Sequence, residues 1–532
     1  MMNMNINRKS IGIWIVLATI VGLVAFSGCI DNGENDNDND NIGTKQKLVI
    51  AEPWGISSVD PAKAGGTLNN FLVLETLTFM EPDFSLVPGL AKSWELIDDT
   101  TWRVHLKDNI IFHDDTKLTA DDVKYSFDRN MEENPTIRGE LGIKSVEKID
   151  DYTIDIITEK PDAAIPAALS YARAVIYSKN SIEKDGIIIN PIGTGPFKFE
   201  KYDKASDILE LSKNENYWNG VPKLDTVIIQ GGVGEASTRE MAIEKGEVDF
   251  TTEPPMGSTE RLENNPEFNV IIHPLCQGYK LNFGNLSKAP FDDIKVRKAI
   301  AYAVDKESIV EHILYDRGEI SNGMGFVPGI EWRNNDLVGY PYDLQKAKQL
   351  LKEAGWEDTD NDGILDKDGK AFKMTLYTWP QRPALPPLAE TVQSQFKEIG
   401  IDAEVRIMDW SAIKERLNEW GAIRVSGGAT CMRIPDPSYY LERNFHSKGD
   451  SNSYGYKNEE VDRLLDEGRS TFDKQKRYDI YREVQEIVVD DVADVYIAYH
   501  NLAVVTKSSV NGYVPNPSAH DYRINSGIYI EE

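Results

Sequence analysis

Residues 191–218 constrain the fold more than any other stretch. They read Pro191-Ile192-Gly193-Thr194-Gly195-Pro196-Phe197, and some twenty residues later Asn214-Glu215-Asn216-Tyr217-Trp218. Gly193 and Gly195 reach backbone angles and close approaches that a Cβ forbids, and Pro196 fixes φ and ends any arriving helix. Phe197 and Phe199 then alternate with Lys198 and Glu200, the period of a half-buried strand. Such a rigid corner suits a place where the chain passes between two bodies. It offers no chemistry of its own.

At 532 residues and 41% hydrophobic, the chain can build two or three cores. Its formal charge of -29 argues against a nucleic-acid partner, whose phosphates need a basic face. A mean hydropathy of -0.42 describes a soluble body with a solvated acidic surface. The N-terminus departs from that character. Arg8 and Lys9 precede an apolar run over residues 11–26, which closes on Ser27-Gly28-Cys29. Basic start, apolar middle and small residues at the end make an export signal. Small residues directly before a cysteine resemble a lipobox, in which Cys29 becomes the lipidated N-terminus. Phe26 stands where a smaller aliphatic is usual, so an uncleaved membrane helix is the alternative. Residues 31–41, all Asp, Asn, Gly and Glu, cannot bury a core and read as a disordered tether. No other apolar run approaches a bilayer's thickness, so a body anchored once outside the cell is expected.

Along the folded part, residues 47–50 begin a strand, and 69–80 read as a helix with Phe71, Leu72, Leu74, Leu77 and Phe79 on one face. Alternation over 102–106 predicts a strand. Thr119 is a suitable N-cap, with Asp121 and Asp122 placed to meet the helix dipole. Residues 374–405 read as strand, helix, strand, an α/β unit. Further helices are expected over 409–420, 461–465 and 475–489, then a strand over 495–500 and a turn-rich close over 503–527.

The succession Val87-Pro88-Gly89-Leu90-Ala91-Lys92-Ser93-Trp94, Ile110-Ile111-Phe112-His113-Asp114-Asp115 and Leu118-Thr119-Ala120-Asp121-Asp122-Val123 resembles the signature region of the peptide/nickel-type extracellular solute-binding proteins of ABC importers. Asp115 replaces a usual glycine. The corner at 191–218 matches that family's own segment. Agreement continues through Gly246-Glu247-Val248-Asp249-Phe250, Tyr279-Lys280-Leu281-Asn282, residues 293–305 and residues 346–356. Each motif alone reads as ordinary packing; their order makes the match specific. The resemblance implies a two-lobed α/β fold of the periplasmic-binding-protein type, class II-like with an extra domain and a hinge between the lobes. Its implied partition is a signal peptide at 1–28, a lipidated cysteine and tether at 29–46, and a first lobe at 47–87, 190–275 and 503–532. The extra domain then takes 88–189 and the second lobe 276–502. It also implies a monomer that traps a ligand by closure and presents it to a permease with a cytoplasmic ATPase.

Ligand choice stays open between an oligopeptide and a nickel–chelator complex, nickel entering only as part of the ligand. Thr430-Cys431-Met432-Arg433-Ile434-Pro435-Asp436-Pro437 resembles the family's cleft-lining segment. Arg433 stands where peptide-binding members carry an aspartate for the α-ammonium, and a cation there attracts carboxylates instead. Arg173 and Arg138 fall near arginines that hold chelator carboxylates in nickel-binding members, and His446 near a histidine that touches the metal. Tyr279, Tyr377, Trp379 and Tyr439 are candidate cleft walls, though each also reads as core. Cys276 and Cys431 fall near the crossing between lobes, as a disulfide, as soft donors or as buried thiols. Asp358, Asp360, Asp362 and Asp366 space their carboxylates as a calcium loop does, but Gly369 holds the position of the closing glutamate, so a polar hairpin competes. No motif calls for a cofactor, and no nucleophile elbow, P-loop or metalloprotease helix is present. A non-transport structural or adhesive surface lipoprotein is the alternative function.

Overall fold

The computed structural model describes residues 46–64, 66–429, 434–516 and 523–531, which form one compact unit. The expected lipidation site Cys29, Cys431 and Arg433 lie outside the described residues.

A ten-stranded sheet organises the molecule. Its first half sets Phe197–Asp203, Ile208–Lys213, Thr226–Gln230, Lys47–Ala51 and Phe250–Thr252 side by side. Its second half sets Ala422–Ala429, Lys373–Thr378 and Asp402–Ile407 together. Between them lie two long antiparallel strands, Phe268–Phe283 and Asp494–Lys507, each running through both halves. Their register breaks between Pro274 and Gly278, where proline has no N–H to give the ladder and glycine permits the bend. Two lobes joined by continuous strands with a break at the crossing give the hinge a physical place.

Cores follow this division. Leu48, Ile50, Phe197, Leu209, Leu211, Val227 and Ile229 close the first lobe, while Leu376, Leu388, Val392, Phe396 and Val425 belong to the core of the second. Burying each such side chain fully contributes roughly 1.5–3 kcal/mol. The extra domain has its own four-stranded sheet, Ala91–Asp98, Thr101–Leu106, Thr153–Thr158 and Ile143–Asp150, with the helix Ala120–Glu133 against it. That helix starts as its sequence predicts: the Asp122 carboxylate turns back to accept from Thr119 N at 3.1 Å and Thr119 Oγ1 at 2.8 Å.

The α/β unit forms Lys373–Thr378, the helix Leu385–Glu398 and Asp402–Ile407, with the two strands parallel. Helices Glu459–Ser470 and Lys474–Asp490 are longer than their apolar seeds at 461–465 and 475–489. The expected helix at 409–420 is shorter, Trp410–Arg416, and the strand expected at 495–500 runs on to Lys507, where turns were expected.

The helix expected over 69–80 does not form. A helical turn spans Thr67–Asn70 and stops, because Leu72 takes φ 57°, and Glu75–Thr76 and Thr78–Met80 are strands. Val73, Leu74 and Leu77 are nonetheless wholly buried. The glycine corner lies on this segment: Gly195 N donates to Val73 O at 3.2 Å. A Cβ at Gly193 would sit 1.9 Å from Val73 O, and one at Gly195 2.0 Å from Leu72 O. Covered on all sides, an apolar run shows no periodicity that tells helix from buried strand.

Candidate functional site

The corner motif converges on one carboxylate. Glu75 accepts from Thr194 Oγ1 at 2.7 Å, Tyr217 Oη at 2.8 Å and Trp218 Nε1 at 2.9 Å. Burial pushes the Glu75 carboxyl up, and these three donors pull against it. His113 completes the knot: Gly193 N donates to its Nδ1 at 3.2 Å, so the Nε2–H donates to Gly195 O at 2.9 Å. This part is architecture.

The cleft lies further on. A cavity of about 790 Å³ opens between the extra domain and the second lobe, lined among others by Arg138, Tyr439 and His446. One wall is the helix Pro135–Leu141. Asn134 starts it by accepting from Thr136 N at 3.2 Å, and Gly142, at φ 68°, ends it. The opposite wall is the helix Pro437–Phe445 with Glu459–Ser470 behind. Asp436 caps the former, accepting from Ser438 N at 3.0 Å, and its carboxylate is forked by the buried Arg477 at 2.7 and 2.8 Å. The expected cleft-lining Asp436-Pro437 pair therefore fixes a helix start.

Two ion clusters bridge the cavity's walls. Glu140 of the extra domain meets Arg173 Nη1 at 3.3 Å and, across the gap, Arg443 Nη1 at 3.0 Å. Arg443 also donates to Tyr439 Oη at 2.8 Å and to Asp450 Oδ1 at 2.8 Å. In the second cluster Arg469 donates through Nε and Nη2 to Asp162 Oδ2 at 2.9 and 2.8 Å, and through Nη1 to Glu442. Ala163 N donates to Arg469 O at 3.0 Å, so backbone joins the walls as well. Glu442 is pushed up to about 7, burial being the main cause and Arg469 opposing it, with Asp162 and Asp436 adding to the rise. His446 Nδ1 accepts from Lys448 N at 3.0 Å, which leaves the ring proton on Nε2, 3.7 Å from Asp466 Oδ1.

The structure thus brings Arg138, Tyr439 and His446 to one cavity and links Arg173 to it through Glu140. Tyr439 stacks at 5.5 Å between ring centroids on Tyr171, across the same boundary. The other aromatics sit elsewhere. Tyr377 is fully buried with Ile413 and Ala422, its hydroxyl on Glu419 at 2.6 Å, and is core where a cleft wall was expected. Trp379 pairs with Trp410, ring centroids 6.0 Å apart. Tyr279 lies at the strand crossing, its hydroxyl 2.6 Å from His500 Nδ1. There Glu253 of the first lobe meets His500 Nε2 at 2.8 Å and Arg382 Nη1 at 2.9 Å, a second set of charges joining the lobes. Cys276 is buried beside this crossing. The carboxylates of Asp358, Asp360 and Asp362 gather within 4.8 Å of one another. Asp366 does not join them; it accepts from Thr359 N at 2.9 Å and Thr359 Oγ1 at 2.7 Å.

Glu140, Asp162, Glu442, Arg443 and Arg469 were not singled out from sequence. Arg469 and Asp162 stand 307 positions apart, and no spacing rule connects them.

Residues 85–452 match the model of the bacterial extracellular solute-binding proteins, family 5. The chain belongs to this family. Family 5 is also where its relatives lie. The oligopeptide-binding protein AppA of Bacillus subtilis is 29% identical over 497 residues, covering 89% of either chain. The dipeptide-binding protein of Escherichia coli is 30% identical over 469 residues, covering 81% of this chain and 84% of that one. Among solved structures, NikA of Staphylococcus aureus in complex with Ni(L-His)2 superposes with a TM-score of 0.79 at 25% identity, over 91% of this chain and all of that one. AppA in complex with a nonapeptide gives 0.78 at 28% identity, over 92% and 100%. This family-5 protein is an extracytoplasmic substrate-binding protein of an ABC importer. Its relatives are binding proteins and not enzymes. Among the described residues no helix is long and apolar enough to cross a membrane.

Proposed function

We propose that this protein captures a short peptide in the cavity between the extra domain and the second lobe and delivers it to a membrane permease driven by a cytoplasmic ATPase. The observation that carries the reading is the cavity's lining: about 790 Å³, with guanidinium and carboxylate groups facing each other across two closing bodies. That volume suits a small ligand, and charges of both signs suit a molecule with an ammonium at one end and a carboxylate at the other. Contacts from both walls exist together only when the walls are close, so a ligand that makes them favours closure. The dipeptide- and oligopeptide-binding relatives support the choice.

A second reading, a nickel–chelator complex, has one specific observation in its favour. His446 and Arg138 line the same cavity, an imidazole donor beside a guanidinium suited to chelator carboxylates. Relatives named for nickel binding support it. Arg433 bears on both readings through its charge. The body would be held at the outer face of the cell membrane by lipidated Cys29, or by an uncleaved N-terminal helix, with residues 31–41 as tether.

Native mass spectrometry of the protein taken from its own membranes, with nickel analysis of the same sample, separates the readings. A ladder of bound peptides supports the first and removes the second. Stoichiometric nickel that is lost in Arg138→Ala and His446→Ala does the reverse.

A further inference from the structure

The charges around the cavity are unevenly paired. Its lining includes six carboxylates, and five have a cationic or imidazole partner within ion-pair distance: Glu140, Asp162, Glu442, Asp450 and Asp466. Glu159 alone has none among the described residues. The lining also holds six Lys and Arg residues. Arg443 and Arg469 serve the carboxylates just named, while Arg138, Lys144, Lys160 and Lys448 have no carboxylate within ion-pair distance. All four are exposed at the cavity's edge. In a chain of formal charge -29, four unpaired cations around one opening and a single unpaired acid are a local reversal of sign.

We propose that this cavity selects ligands carrying net negative charge, with at least two carboxylates, and that Arg138, Lys144, Lys160 and Lys448 make the selection. The proposal rests on the reading of this cavity as the ligand site. Buried carboxylates neutralise the inner arginines, so the interior is near neutral while the mouth is positive. A low-dielectric cleft focuses such a field and raises the local concentration of an anion. The exposed cations act mainly on capture and discrimination, since each rim pair alone is worth little. An acidic peptide and a metal polycarboxylate chelate share this chemistry.

Calorimetric titration of the full chain in detergent tests it, with four probes: the tripeptides Glu-Ala-Glu, Ala-Ala-Ala and Lys-Ala-Lys, and nickel citrate. The acidic tripeptide is expected to bind about tenfold or more tighter than the alanine one. That advantage should shrink as sodium chloride rises from about 0.05 to about 0.5 M, a change that needs no variant. In the double variant Lys144→Glu, Lys160→Glu it should fall to about threefold or less. Equal binding of all three tripeptides overturns the proposal and leaves the peptide reading standing. Binding of nickel citrate alone, with the same salt dependence, supports the anion preference and removes the peptide reading. Failure of all four probes removes both.

Discussion

Trp218 Nε1 donates to Glu75 Oε2 at 2.9 Å, a bond between residues 143 positions apart. It explains why the segment 214–218 follows the glycine corner at a set distance: Thr194 at one end and Tyr217 and Trp218 at the other close on the same carboxylate. The glycines let residues 193–195 lie against the backbone of residues 72–73, next to the carboxylate that they serve.

Removing that carboxylate leaves three donors facing a partly buried gap. Glu75→Ala is expected to cost about 2–4 kcal/mol in urea unfolding. Gly193→Ala should cost at least as much as an overpacked core site, about 1–3 kcal/mol, because its Cβ falls on Val73 O. A loss below about 0.5 kcal/mol in both variants would mean that the knot does not hold the corner.

The fold was legible wherever local chemistry and tertiary context agree. The Thr119 cap, the strand Thr101–Leu106 and the α/β unit at 373–407 each carry their own signal, and the order of motifs identifies the architecture. Residues 69–80 misled because the corner that buries them arrives 120 positions later. At the site, Arg138, Tyr439 and His446 were readable through their segments, and Tyr377 was not separable from core by type alone. The ion pairs that hold the walls together, Arg469 with Asp162 and Arg443 with Glu140, depend on closure of long loops in the chain, which no local pattern records.

Arg469→Ala should separate the walls. It strips the counter-charge from Asp162 and Glu442, both largely buried, so a stability loss of about 2–4 kcal/mol is expected, with faster hydrogen exchange at residues 159–164. Exchange unchanged there, with stability lost elsewhere, would place the pair outside the contact between extra domain and second lobe.

Glu442 makes stability fall with rising pH. Its folded pKa of about 7 lies above the unfolded carboxyl's, about 4.3, so folding takes up a proton. The contribution is fully present below about pH 4.3 and is lost as pH rises through about 7. Glu442→Gln, which still reaches Arg469, should match the parent at low pH and exceed it at pH 8 in thermal unfolding. Parallel curves from pH 5 to 8 would contradict this.

His113 has the opposite sign. Burial lowers it to about 4, so its stabilising contribution is complete above the unfolded value of about 6.5 and is lost as pH falls through about 4. His113→Gln should show a flatter stability profile over that window. An unchanged slope would mean that the imidazole is accessible to solvent protons in the folded state.

Ligand-driven closure is the centre of this account, and small-angle scattering tests it most directly. The protein is stripped of ligand by unfolding and dialysis, then measured with and without the small-molecule fraction released from it. A radius of gyration that falls on adding the fraction back, and falls less in Arg469→Ala, is the predicted result. A radius that stays the same while the fraction binds would contradict closure between the lobes.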